Sequence, residues 1–211
     1  MIKENHIIVN KTARYYTMGE LNDKTKQVWI VLHGFRQNAK AFLAEFEPLA
    51  NEHTFFIAPE ALNRFYIDTK GTKVGATWMT REDRLNEIKD YTNYLNDLYQ
   101  EFELERFSGS ITALGFSQGA STVTRWLDAT KFKIDNAIVY AGEVAPELLP
   151  LHEHSGLKRT KNYYICGTQD EFFTPALLES VKKAYEDLKF TSIMFEGKHV
   201  LNLETLTGLV N

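Results

Sequence analysis

The sequence predicts an α/β fold with a mostly parallel central sheet and helices on both faces. Three observations lead there. Short apolar runs alternate with amphipathic stretches along the chain, as strands joined by helical crossovers do. Several of these runs are apolar throughout, which suits strands buried on both faces. The 211 residues are 44% apolar and 25% charged, enough for one domain with a real core. No repeat, low-complexity block or linker interrupts them, so a single domain over residues 1–211 is expected.

The elements follow in order. "HIIVN" and "ARYYTMG" read as two short strands, antiparallel at a sheet edge. "QVWIVLHGF" (27–35) is a continuous apolar run and reads as a central strand. "NAKAFLAEFEPLANEH" has Phe42, Leu43, Phe46 and Leu49 at helical spacing, with Asn38 placed to cap it. "TFFIAPEAL" is the next strand, and a long polar loop with several aromatics covers about 62–79. "TREDRLNEIKDYTNYLNDLYQEF" is a long amphipathic helix with Leu85, Ile88, Tyr91, Leu95 and Leu98 as its inner stripe. Thr80 and Asp83 are spaced as a cap and its reciprocal acid. "SITALGF" is a strand and "SQGASTVTRWLDAT" the helix behind it. "IDNAIVYAG" and "KNYYICG" are further strands, "TPALLESVKKAYEDL" a helix with Pro175 in its first turn, "FTSIMFEG" the last strand, and "LNLETLTGLV" a closing helix.

Composition excludes several functions. The net charge is −4 and no basic cluster stands out, which argues against nucleic acid or an anionic membrane as partner. Cys166 is the only cysteine, so an intramolecular disulfide is impossible and a cysteine-based zinc site is not expected. The opening "MIKENHIIVN" lacks the apolar run of a signal peptide, and no stretch is long enough to span a bilayer. A soluble cytoplasmic protein is the expectation.

The chemistry centres on "ALGFSQGA". Gly115-Phe116-Ser117-Gln118-Gly119 has the form G-x-S-x-G, with a strand entering and a helix leaving. The sharp turn crowds its neighbours, and glycines relieve that crowding. It also sets the serine at a helix N-terminus, where negative charge is favoured. A plain N-cap serine would explain Ser117 but not both glycines. A serine hydroxyl needs a base. In the chain order Ser…Asp…His, Asp170 and His199 each fall just past a strand end, with Glu171 as a rival acid. His199 would take the serine proton, and Asp170 would hold its tautomer.

These pieces together resemble the α/β-hydrolase superfamily. The short length and lack of a large lid resemble its phospholipase/carboxylesterase branch, which includes acyl-protein thioesterase-like enzymes. The resemblance spans roughly 28–204 and rests on "VLHGF", "ALGFSQGA", the G-x-x-D of "GTQD" and the terminal "GKHVLNLE". Two segments depart from the family pattern. "DEFFTP" sets its proline one position late, and "HGFRQN" stands where H-G-x-G-D is common. The resemblance implies an α/β-hydrolase fold without a large lid domain. It also implies oxyanion donors at the backbone N–H of Gln118 and of Phe35, with Arg36 as the alternative to Phe35. His33 then braces the oxyanion turn rather than acting as a base.

Plainer roles compete for the remaining residues. Phe65, Tyr66, Trp78 and Met79 in the long loop, and Phe172 and Phe173 beside Asp170, either line a substrate pocket or pack in the core. Glu143 falls after a strand end, where it would face the cleft. His152 and His154 read as solvated loop residues, His6 and His53 have no evident partner, and Cys166 reads as an inert buried thiol. No phosphate-loop, dinucleotide or metal motif occurs, so no cofactor and no metal site are expected. The expected activity is a serine carboxylesterase cleaving small or medium acyl esters. An acyl-thioesterase or lysophospholipase is the alternative, and a non-catalytic binding protein on the same fold is the rival of another class. The expected partner is a small-molecule ester or thioester, and the expected assembly a monomer or weak homodimer.

Overall fold

Strand β2 (Gln27–Leu32) shows why this chain builds a sheet with two covered faces. Successive side chains of a strand point to opposite faces. Val28, Ile30 and Leu32 enter one buried cluster, while Trp29 and Val31 enter the other. An apolar run of that kind is stable only with helices above and below it.

The computed structural model describes residues 1–210. In chain order its elements are β1 (Tyr15–Met18), β2, α1 (Ala39–Ala44), β3 (Thr54–Pro59), β4 (Asn63–Tyr66), β5 (Val74–Thr77), α2 (Arg84–Glu101), β6 (Ser110–Phe116), α3 (Gln118–Ala129), β7 (Asn136–Tyr140), β8 (Lys161–Gly167), α4 (Pro175–Asp187), β9 (Thr191–Phe195) and α5 (Glu204–Val210). Seven strands form one sheet in the order β1-β3-β2-β6-β7-β8-β9. Only the β1–β3 pair is antiparallel. Helices α2, α3 and α4 pack on the face with Val28, Ile30 and Leu32, and α1 and α5 on the face with Trp29 and Val31. This is the α/β-hydrolase architecture, with no large lid among the described residues. No helix of the described residues is long and apolar enough to cross a membrane.

The structure departs from the sequence reading at several places. "HIIVN" forms no strand, and Ile7, Ile8 and Val9 are 85%, 92% and 71% exposed, since no neighbouring strand pairs with them. β1 instead pairs with β3, Tyr15 opposite Pro59. The polar loop expected over 62–79 contains an antiparallel hairpin, β4–β5, with Asn63 opposite Thr77 and Tyr66 opposite Val74. Its two strands are too short to show a period, and a polar turn held by the Asp68 carboxylate on Thr72 joins them. Helix α2 begins at Arg84, so Leu85 sits in the solvated first turn and is 75% exposed. Thr80 and Asp83 do not cap one another; Thr80 N–H donates instead to Glu87 Oε2 at 2.6 Å. By contrast, Asn38 caps α1 as expected, accepting from the N–H groups of Lys40 and Ala41. That helix ends at Ala44, before a short 3₁₀ turn at Glu47–Leu49 that has Pro48 at its start.

Candidate active site

The carboxyl ends of the parallel strands gather the polar residues singled out above. β6 ends at Phe116, and Ser117 turns the chain into α3 with φ 53° and ψ −116°. A positive φ is costly for a residue with a side chain and persists only where its surroundings impose it. Here Ser117 N–H donates to Tyr140 O at 2.9 Å, and Ser117 O accepts from Ala120 N–H at 2.9 Å. The flanking glycines answer to space. A Cβ on Gly115 would stand 2.1 Å from Gly119 O, and one on Gly119 would stand 2.3 Å from Leu32 O. Ser117 thus occupies the N-cap of a twelve-residue helix without using its hydroxyl as a cap.

The loops after β8 and β9 carry the other two groups. Asp170 is buried, and its Oδ2 lies 2.7 Å from His199 Nδ1. Its other oxygen, Oδ1, accepts the Phe172 N–H at 2.9 Å. Glu171 is exposed and meets only the backbone of His199, whose N–H lies 3.4 Å from Glu171 Oε2. Its carboxyl is held below the ordinary value by hydrogen bonds from its own backbone N–H and that of His199. The imidazole of His199 rests beside the Phe116 ring (centroids 5.0 Å) and edge-on to Phe172 (4.6 Å), so it stands next to the serine turn.

The turn after β2 closes the site from another side. A Cβ on Gly34 would lie 3.1 Å from Ser117 Cβ. Gly34 N–H donates to Gln37 Oε1 at 2.6 Å, which folds residues 34–37 into a tight loop. Phe35 N–H has no acceptor among the described residues, and Gln118 N–H, at the first turn of α3, has no intrahelical one. Arg36 N–H, the alternative donor to Phe35, is taken by Ala76 O at 3.0 Å and is not free for another acceptor. His33 is fully buried. Its Nε2 accepts from Ala61 N–H at 3.1 Å, so Nδ1 carries the proton and donates to Gly34 O at 2.8 Å. Burial lowers its pKa, and the neutral ring braces the turn.

The aromatics separate. Trp78 is 1% exposed, and its indole N–H donates to His33 O at 2.8 Å; it packs in the core instead of lining an open pocket. Met79 and Phe173 are half-buried against the same core. Phe35 and Phe65 lie ring to ring at 5.7 Å, with Phe35 52% exposed, and Tyr66 and Phe172 are each 68% exposed. Glu143 is exposed, and its carbonyl accepts from Ser121 Oγ. His152 pairs with Asp128 and is exposed, as is His154. His6 has partners after all, Glu4 and Asp83 at 3.2 Å each. These three form a group of ligand-type atoms, but all are exposed and nothing further marks them as a metal site.

Sequence reasoning missed the Gln118 side chain. Its carboxamide accepts from Trp78 N–H at 3.1 Å and donates to Met79 O and Thr77 Oγ1 at 2.9 Å each. No spacing rule pairs residues forty positions apart, so no local signal marks this contact.

The profile of the phospholipase/carboxylesterase family matches residues 16–199. The chain belongs to that family. Membership supports a hydrolase of the esterase type. No curated protein matches the sequence. Solved structures share the fold at low identity. Acyl-protein thioesterase 2 of Zea mays superposes with a TM-score of 0.69 at 14% identity, covering 94% of this chain and 96% of its own. The carboxylesterase of Bacillus cereus gives 0.65 at 17%, covering 94% and 92%, and esterase PE8 gives 0.65 at 18%, covering 94% and 96%.

Proposed function

We propose that this family member is a single-domain, cytoplasmic serine carboxylesterase cleaving small or medium acyl esters through an acyl-enzyme. One observation carries the reading: the Asp170–His199 hydrogen bond of 2.7 Å formed beside the strained Ser117 turn. Asp170 accepts the Nδ1 proton, which leaves Nε2 free to take the proton of Ser117 Oγ. The serine oxygen attacks the ester carbonyl. Backbone N–H groups of Phe35 and Gln118 receive the developing oxyanion, aided by the dipole of α3. The tetrahedral intermediate collapses, His199 protonates the departing alcohol, and the acyl group stays on Ser117. Water, deprotonated by His199, then releases the acid. The exposed rings of Phe35, Tyr66 and Phe172, with Phe65, offer apolar surface for the acyl or alcohol part.

The test is covalent labelling by a fluorophosphonate, read by intact mass on wild type and Ser117→Ala. One adduct on wild type and none on the variant is expected. No adduct on folded wild type would overturn the reading in favour of a binding protein. Matched esters and thioesters, compared by kcat/KM, then separate a carboxylesterase from an acyl-thioesterase.

A further inference from the structure

The polar contacts around the proposed oxyanion position converge on β5. Arg36 N–H donates to Ala76 O at 3.0 Å, and Ala76 N–H donates back to Gln37 O at 3.0 Å. These two bonds splice the turn after β2 onto β5, immediately past Phe35. On the other side, the Gln118 carboxamide spans residues 77–79. Its partners have fixed roles: Trp78 N–H only donates and Met79 O only accepts. A carboxamide supplies both complements; a carboxylate or a thioether of similar length does not. Gly75 completes the arrangement. A Cβ there would stand 2.2 Å from Arg36 O and 2.7 Å from Arg36 C, so only glycine lets the strand approach this closely.

We propose that the β4–β5 hairpin is a positioning strut for the oxyanion hole. It sets the spacing between the N–H groups of Phe35 and Gln118 through Ala76 on one side and the Gln118 side chain on the other. The inference rests on the serine hydrolase reading. The two donors belong to separate elements, the turn after β2 and the start of α3, and β5 bonds to both. Donors must meet the oxyanion at about 2.7–3.1 Å, and a displacement of about 1 Å costs on the order of 10²-fold in rate. Gln118 therefore acts twice, its backbone as an oxyanion donor and its side chain as a positioning group.

The experiment compares Gln118→Met and Gly75→Ala with wild type, using Ser117→Ala as the blank. It measures kcat and KM for 4-nitrophenyl acetate, Ki for a trifluoromethyl ketone whose adduct places an oxyanion at the site, and the thermal midpoint. The strut predicts kcat lower by about 10- to 100-fold with KM within about 2-fold. It also predicts that Ki rises by the factor by which kcat/KM falls, in proteins that melt cooperatively near the wild-type temperature. A packing role alone would lower the midpoint without that match between Ki and kcat/KM. Folded variants that turn over at the wild-type rate overturn the inference, and so does a raised KM at unchanged kcat. Should Gly75→Ala not fold, Gln118→Met decides alone. A wild type no faster than Ser117→Ala overturns the hydrolase reading, and the strut with it.

Discussion

At the scale of single residues, the acid proposed to orient His199 is the most sharply placed group. Asp170 and Glu171 are neighbours with the same chemistry, but the backbone turn after β8 sends one inward and the other out. Asp170 meets the imidazole at 2.7 Å and is buried; Glu171 meets backbone N–H groups, not the ring, and is exposed. Asp170→Asn should therefore lower kcat by on the order of 10⁴, because an amide favours the wrong tautomer. Glu171→Gln should leave kcat within about 3-fold, as expected for a group that never touches the ring. Steady-state kinetics on both variants checks this, and the reverse ranking would reassign the acid.

At the scale of elements, one ion network ties three of them together. Arg125 of α3 donates to Glu147 at 2.7 Å, and Arg84 of α2 pairs with the same carboxylate, which sits in the turn after β7. Arg125 also reaches Met79 Sδ at 3.5 Å, just past the hairpin. Hydrogen bonding from Arg125, helped by the Glu147 backbone N–H, the Arg125 charge and a hydrogen bond from Arg84, holds Glu147 down to about 2 from an ordinary 4.5. A carboxylate with a depressed folded pKa stabilises the fold above its unfolded pKa, and that stability is lost as pH falls through the folded one. The window here runs from about 4.5 down to about 2. Glu147 is 39% exposed, so solvent screening limits the effect to about 1 kcal/mol or less. Glu147→Gln should flatten the decline of the urea midpoint across that window and lower the midpoint at neutral pH. An unchanged acid slope would mean that the network contributes nothing to stability.

At the scale of the whole molecule, what was legible in the sequence follows from range. β2, β6, β7 and β8 were legible because central strands must be apolar on both faces, and that demand is written locally. The placement of Ser117, Asp170 and His199 just past strand ends was legible because the apolar runs before them mark those strands. The hairpin, the engagement of Arg36 N–H by Ala76 and the Gln118 contacts were not, because all three depend on segments that meet only in space. The amino-terminal stretch misled for the opposite reason: "HIIVN" has a strand's composition but finds no strand to pair with. Before Lys11 the segment meets α2 through the exposed pair of His6 with Asp83, and firmer anchoring comes at Lys11 and Arg14. Lys11 Nζ donates to Leu62 O, and Arg14 pairs with the buried carboxylate of Glu60, whose Oε2 also accepts Ala39 N–H at 3.3 Å. Tyr94 OH donates to Arg14 O at 2.9 Å, which ties this segment to α2. Removing residues 1–10 should therefore cost about 0.5 kcal/mol or less, because the His6–Asp83 pair it removes is exposed on both sides. Arg14→Met should cost about 1–3 kcal/mol, because it leaves a buried carboxylate short of its main partner. Urea unfolding of the two variants tests the contrast. A truncation as destabilising as Arg14→Met would mean that the contact of His6 with Asp83, at the start of α2, anchors the fold as strongly as the Arg14–Glu60 pair does.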